Sequence, residues 1–391
     1  MKYIQRAVDK RFRSFLRSFP CVLVLGPRQC GKSTFVRQAL PRWRYVDLER
    51  PVDRDLLEAD LEGFFDAYPR QVIIDEAQRM PELFPLLRHV IDRDSKKGRF
   101  VLLGSASPHL TRGVSESLAG RVGMLELTPF RASELSGGQH ARNRWFHGGY
   151  PPAHGLRSFD ARSDWLDSYV TTFLERDIPA LGLNLPAARL RRLWTMLTHV
   201  HGNLLNVSDL ARSLTVSTHT VNHYLDVLEG AYLIRRLVPL HANIQKRLTK
   251  SPKIYIRDTG ILHFLAGLRR PTDLETWPKR GHSFEGLVVE EIAAMAGQHL
   301  ARPDLCFWRT HAGAEVDLVM QHRGRWIPIE IKLGAAVDHY AVAGLRQFMK
   351  DLDVPKGWVV ANTTERRQLG KDIEIVPWED VISGREDFGI A

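Results

Sequence analysis

Cys21-Val22-Leu23-Val24-Leu25-Gly26-Pro27-Arg28-Gln29-Cys30-Gly31-Lys32-Ser33-Thr34 is the stretch on which the reading of this chain turns. The apolar run Cys21–Leu25 reads as a buried strand, and Ser33 onward reads as the start of a helix. Between them stands G-x-x-x-x-G-K-[ST], a phosphate-binding loop. Its glycines let backbone N–H groups turn inward around phosphates, and the helix N-terminus adds its dipole. Every residue from Gly26 to Thr34 is a candidate for nucleotide contact. Lys32 is expected to reach the β/γ-phosphates, and the Ser33 hydroxyl to bind Mg²⁺.

Working outward, Arg44–Leu48 is a second strand candidate and Gln71-Val-Ile-Ile-Asp75-Glu76 a third. An apolar strand ending in Asp-Glu is the companion such a loop needs: Asp75 to hold Mg²⁺ and Glu76 to polarise the attacking water. Arg99–Ser105 is a fourth strand whose polar end makes Ser105, or failing that Ser107, a candidate γ-phosphate sensor. A helix N-cap is the competing role. Arg121, where a helix gives way to the strand Val122–Leu127, is positioned for an arginine finger entering a neighbouring subunit, with Arg112 in reserve. Strands alternating with helical stretches predict an α/β fold, a mostly parallel sheet with helices on both faces and its site at the strands' carboxyl ends. Upstream, Ile4, Val8, Phe12, Phe15, Leu16 and Phe19 recur at helical spacing and predict a helix packed on this domain.

The ATPase-type domain is expected over 1–155, with the Gly- and Pro-rich segment around His147-Gly-Gly-Tyr-Pro-Pro152 as its hinge. Residues 156–270 read as helical. Within them Asn206–Leu214, a short turn, Ser217–Leu228 and the ribbon Tyr232–Val238 describe a winged helix-turn-helix. Ser217, Thr218, Thr220, Asn222 and His223 are expected on its exposed recognition face, with Arg235 and Arg236 on the wing. His219 and His223 lie one turn apart, but neither carboxylate nor Cys joins them, so a metal is not expected there. Lys253-Ile-Tyr-Ile256 reads as a short strand.

Residues 281–391 form a third α/β region. A helix carries Glu285, and two strands meet at the turn Arg323-Gly324. A two-residue loop there sets Asp317 opposite Glu330 and Glu315 opposite Lys332, all on one face. Opposed carboxylates repel, so something positive belongs between them. A second divalent metal with Glu285 as third ligand, and Lys332 beside the attacking water, would make a phosphodiesterase layout. A salt-bridged hairpin, with Glu315 neutralising Lys332, is the competing reading.

G-P-R-Q-C-G-K-S-T, the Asp75-Glu76 strand, S-L-A-G-R, G-G-Y-P, E-R-D-I and P-K-I-Y-I-R-D-T-G together resemble a widespread group of prokaryotic AAA+ ATPases. In that group a winged helix and a C-terminal restriction-endonuclease-like (PD-(D/E)xK-type) domain of unknown function follow the ATPase. The resemblance implies ATP·Mg²⁺ at Lys32, Ser33 and Asp75, hydrolysis through Glu76, and assembly into a ring, a hexamer being one form. Glu285, Asp317 and Glu330 match its nuclease-like pattern.

Composition agrees with a globular chain: 391 residues, 44% hydrophobic, 26% charged. The first twenty residues are basic throughout without an apolar core, so no signal peptide is expected. Three scattered cysteines give neither a disulfide framework nor zinc spacing. A cytoplasmic protein without membrane spans is the expectation. Net charge of +10 suits a phosphate polymer, through counterion release. The leading expectation is an ATPase that binds and remodels DNA, as in recombination, repair or mobile-element defence. The alternatives are an ATP-regulated endonuclease and a nucleotide-switched signalling ATPase acting on a protein partner.

Overall fold

The computed structural model describes residues 3–105, 114, 116–135, 139–180, 183, 185–240, 250–300 and 303–390. The chain divides into one compact unit, Met1–Phe130 with Gly230–Tyr232, and a second, Arg131–Glu229 with Leu233–Ala391.

The first unit is built on a five-stranded sheet ordered β2-β3-β4-β1-β5: β1 Cys21–Gly26, β2 Arg44–Asp47, β3 Val72–Asp75, β4 Phe100–Ser105 and β5 Val122–Glu126. Every pairing is parallel. A parallel strand buried on both faces reads as a continuous apolar run, which is why Cys21–Leu25 does not alternate. Its side chains nevertheless divide by parity. Val22 and Val24 pack with Phe12, Phe35 and Val36 from the helices Asp9–Ser18 and Lys32–Ala39. Leu23 and Leu25 pack with Phe64, Phe65 and Leu87 from helices on the other face. The N-terminal helix is shorter than its spacing predicts, but Phe12 and Phe15 are buried as expected.

The second unit carries an eight-stranded sheet ordered β12-β13-β11-β10-β9-β8-β6-β7. Its strands are β6 Ile234–Pro239, β7 Lys253–Ile256, β8 Leu305–Arg309, β9 Glu315–His322, β10 Arg325–Lys332, β11 Gly357–Ala361, β12 Arg367–Leu369 and β13 Ile373–Pro377. Ahead of β6 lie the helices Val207–Leu214 and Thr218–Gly230. The Asn206 side chain caps the first by accepting from Ser208 N and Asp209 N at 3.1 and 3.2 Å. Thr215, left-handed at φ 55°, makes the turn between them. Leu210, Ala211 and Leu214, then Val221, Leu225 and Leu228, are buried as their spacing predicts.

Two features depart from the sequence-based expectation. The ribbon β6–β7 is not a free appendage: β6 pairs antiparallel with β7 and parallel with β8, through Val238↔Cys306 and Pro239↔Phe307. The regions 156–270 and 281–391 therefore share one sheet. The His147–Pro152 segment lies in the second unit, packed rather than hinged. Gly149 N donates to the Asp258 carboxylate at 2.8 Å. A Cβ on Gly148 would stand 2.1 Å from Asp258 Oδ1, and one on Gly260 2.3 Å from the His147 carbonyl. G-G-Y-P and D-T-G are two halves of one close backbone contact.

Candidate functional site

The phosphate loop is shaped by backbone angles that few residues adopt. Gly26 (φ 154°) approaches the chain just past β5 so closely that a Cβ would lie 2.1 Å from the Leu127 carbonyl oxygen. Gln29 (φ 59°) and Gly31 (φ 99°) are left-handed and turn the chain into the helix Lys32–Ala39. Cys30 is buried, its Sγ 3.2 Å from Leu127 O, and burial raises its thiol above the usual range. Lys32 is 7% exposed and folds back over the loop, Nζ donating to Gly26 O at 2.9 Å and Pro27 O at 3.0 Å. Arg6 braces the loop from outside the motif, donating to Cys30 O at 3.0 Å and Thr128 O at 2.6 Å.

Asp75 ends β3 beside this loop. Its Oδ2 accepts from the Ser33 hydroxyl and the Tyr45 hydroxyl, each at 2.5 Å, and its Oδ1 from Glu76 N at 2.9 Å. Burial and then the Asp75 charge push the Tyr45 hydroxyl upward, so it stays a donor. Glu76 is left-handed (φ 54°), and Gln78 Nε2 donates to its carboxylate. Ser105 ends β4, with its backbone in register beside Gly26. Arg121 forms a bidentate pair with Asp92 at 2.6 and 3.0 Å. It stands where β5 begins, next to Cys21, at the opposite end of the sheet from the loop. Ser107 and Arg112 lie outside the described residues.

The donor set fits a nucleotide with Mg²⁺. A lysine satisfied only by neutral carbonyls keeps its full charge for phosphate. A hydroxyl and a carboxylate already in contact can share one metal ion.

In the second unit the β9–β10 hairpin has the register counted from the sequence, Arg325↔His322 through Ile329↔Leu318. Arg323 and Gly324 are both left-handed, at φ 49° and 76°. Asp317, Glu315 and Glu285 converge, but on a residue the sequence reading passed over. Lys253 Nζ lies 3.1 Å from Asp317, 2.5 Å from Glu315 and 2.9 Å from Glu285. Tyr255 donates to Glu285 at 2.5 Å and Ile331 N to Asp317 at 2.9 Å. Arg309 holds the second oxygen of Glu315 at 2.8 Å. Lys332 pairs with Glu330 at 2.6 Å instead of with Glu315. The expected divalent metal with Glu285 as third ligand does not fit this arrangement, since an ammonium already stands among the carboxylates. Among the described residues no group of three or more His, Cys, Asp or Glu side chains is arranged to hold a metal ion.

Electrostatics follow this packing. Burial, then the Asp317 charge, pushes the Glu330 carboxyl up to about 8, and its Oε2 has no hydrogen-bond partner. Burial pushes Glu285 up to about 7 against the pull of Lys253. For Lys253, burial works downward, yet the charges of Glu285 and Asp317 raise it well above its ordinary value.

On the helix Thr218–Gly230, Thr218, Asn222 and His223 are exposed, as is His219, and Thr220 is half-buried, its N–H bound to Ser217 Oγ at 3.0 Å. The expected wing arginines are instead committed internally. Arg235 forms a two-point ion pair with Glu290, which also accepts from Arg257 at 2.8 Å. Burial would raise the Glu290 carboxyl, but the two guanidiniums hold it down at about 2. Arg236 pairs with Glu229 and Asp226, each at 2.7 Å. No helix among the described residues is long and apolar enough to cross a membrane.

The parallel sheet, the loop and the Ser33–Asp75 contact define a P-loop ATPase domain of AAA type. Residues 18–136 match a family model described as an AAA domain. Residues 138–272 and 280–381 match two further models, each described as a domain of unknown function (DUF8612 and DUF4143). Over 382 residues the chain is 42% identical to "Uncharacterized protein Rv2008c" of Mycobacterium tuberculosis and to "Uncharacterized protein Mb2031c" of Mycobacterium bovis, covering 97% of this chain and 85% of each relative. The chain belongs to the family of these mycobacterial proteins.

Among solved structures it is similar to a Walker-type ATPase of Pyrococcus abyssi, 16% identical, covering 67% of this chain and 96% of that one, with a TM-score of 0.47. The Holliday junction branch migration motor RuvB of Thermotoga maritima is 18% identical, covering 59% and 88%, at a TM-score of 0.27. DnaA of Aquifex aeolicus is 12% identical, covering 57% and 85%, at 0.29.

Proposed function

We propose that the chain is an Mg²⁺-dependent ATPase that binds duplex or branched DNA and remodels it as a homo-oligomeric ring. One observation carries the reading: Lys32, Ser33 and Asp75 are gathered at the loop, with the lysine's charge met only by neutral carbonyls. Lys32 holds the β- and γ-phosphates, and Ser33 and Asp75 hold Mg²⁺. When bound, Mg²⁺ neutralises charge on the phosphate oxygens. Glu76, steadied by Gln78, accepts the proton of the attacking water. Ser105, beside Gly26, senses the terminal phosphate. In this reading the helix pair and β6–β7 work as a winged helix, with Thr218, His219, Asn222 and His223 toward DNA. The net charge of +10 supplies the long-range attraction.

ATP turnover measured with single-stranded, duplex and junction DNA tests it. Stimulation by one form, lost at high salt, is expected. Turnover indifferent to every form, with no binding at moderate salt, would refute the DNA half.

A second reading has a specific observation behind it. Arg235 and Arg236 are neutralised within the fold, which suits a nucleotide-switched ATPase whose helix pair meets a protein partner. DNA-independent turnover, with nucleotide-dependent particle mass, is its signature.

A further inference from the structure

The acid cluster of the second unit has the residues of a metal site without room for the metal. Lys253 is 2% exposed, and its ammonium meets three carboxylates, Glu285, Glu315 and Asp317, at 2.5 to 3.1 Å. A divalent ion would draw on those same oxygens at about 2.0–2.6 Å, so ammonium and metal cannot share the space. Nor is the lysine a side chain that swings aside. Its backbone is fixed in β7, paired with Leu237 of β6 and bridged to Leu204. Its Nζ sits 5.7 Å from the centre of the Phe307 ring, walled in by the sheet. Two further oxygens are engaged as well: Asp317 Oδ2 by Ile331 N, and Glu315 Oε2 by Arg309. Of the hairpin's two opposed acids, Asp317 is met by Lys253 and Glu330 by Lys332.

We propose that Lys253 is the resident cation of this cluster. Its ammonium stands in the place of a divalent metal, and Glu285, Glu315 and Asp317 act as a charge clasp joining β7, the helix Arg280–His299 and β9. The cluster is not a centre for metal-dependent phosphodiester cleavage. The three carboxylates as they stand are not arranged to hold a metal ion; with the ammonium removed they would close on a divalent ion in its place. The inference stands apart from the ATPase reading, because it concerns nucleotide-free protein.

The test is a Mn²⁺ titration of the nucleotide-free full chain, followed by electron paramagnetic resonance, with thermal unfolding alongside. The wild type is expected to show no stoichiometric Mn²⁺ site that Asp317→Asn removes, and a melting temperature that millimolar Mn²⁺ leaves unchanged. Lys253→Met, neutral and of similar length, is expected to gain about one Mn²⁺ per chain, to lose it when Asp317→Asn is added, and to recover melting temperature with Mn²⁺. A wild-type site removed by Asp317→Asn overturns the proposal. So does a folded Lys253→Met that binds no Mn²⁺, since the acids would then not be a metal cage held by lysine. If Lys253→Met does not fold, the wild-type titration decides alone, supported by incubating plasmid DNA with Mn²⁺. No cleavage is expected, and cleavage abolished by Asp317→Asn overturns the proposal.

Discussion

Lys32 and Lys253 are both buried lysines, one opening a helix and one in a strand, and their surroundings make them opposites. Lys32 donates to two backbone carbonyls, dipoles that hold an ammonium in position without cancelling its charge. Lys253 faces three carboxylates that cancel it. The first is poised for an incoming anion, and the second has already found its anions. Residue type and burial do not separate the two roles. The formal charge of the acceptors does.

The largest effect expected from this comparison is on stability. Removing one partner from a buried ion cluster leaves uncompensated charge, at about 3–5 kcal/mol. Lys253→Ala is therefore expected to destabilise the second unit by that order in denaturant unfolding. The lysine's raised folded value means its contribution is complete below its ordinary value and is lost only as pH rises through the folded one. The deficit of the variant thus persists through neutral pH. Lys32→Ala is expected to do the reverse: unfolding close to wild type, but ATP turnover lower by about 10²–10³-fold. If Lys32→Ala unfolds the protein, or Lys253→Ala leaves it intact, the contrast between the two lysines collapses.

A smaller effect separates the ribbon from the recognition face. Arg235→Ala takes one of two guanidiniums from buried Glu290 and is expected to cost about 2 kcal/mol in chemical denaturation. Asn222→Ala and His223→Ala, being exposed, are expected to leave stability unchanged while weakening DNA binding several-fold in a fluorescence titration.

Glu330 offers a pH test. Its folded value of about 8 exceeds its ordinary 4.5, so between these the native state binds the extra proton and stability falls as pH rises. Glu330→Gln removes that dependence. Its stability relative to wild type should rise steadily from pH 5 to pH 8, by no more than about 4 kcal/mol. Finally, Arg121→Ala breaks an exposed pair with Asp92 and a bond to the Ala119 carbonyl. It is expected to leave turnover unchanged in the assembled protein; a loss of turnover would assign it the finger role in a neighbouring subunit.

Much of the first unit could be read from local sequence, because its determinants are local. The loop's glycines, the apolar run before it and the Asp-Glu strand end each specify their own backbone. Hairpin register is also local, fixed by the two left-handed residues at its turn. What escaped the reading depends on contacts far along the chain. Arg6 reaches Thr128, Arg235 reaches Glu290, and Lys253 reaches Asp317. None of these partners follows from spacing alone, and those of Arg235 and Lys253 follow only once the parallel β6–β8 pairing has set the order of the second sheet. One signal was present. A lysine beside Ile-Tyr-Ile in a strand buried throughout needs a carboxylate, since a lone buried ammonium is not tolerated. That argument points to a partner without naming it, so from sequence alone a metal and a salt-bridged hairpin both remain open for the acids.

The pairing of β6 with both β7 and β8 has a mechanical consequence. The strand that leaves the helix Thr218–Gly230 is itself a rung of the eight-stranded sheet, bonded on both edges. Displacing the helix pair from the C-terminal strands would mean breaking ladder hydrogen bonds. The same ladder holds Lys253, opposite Leu237 of that strand, so the helix pair and the acid clasp hang from one set of hydrogen bonds.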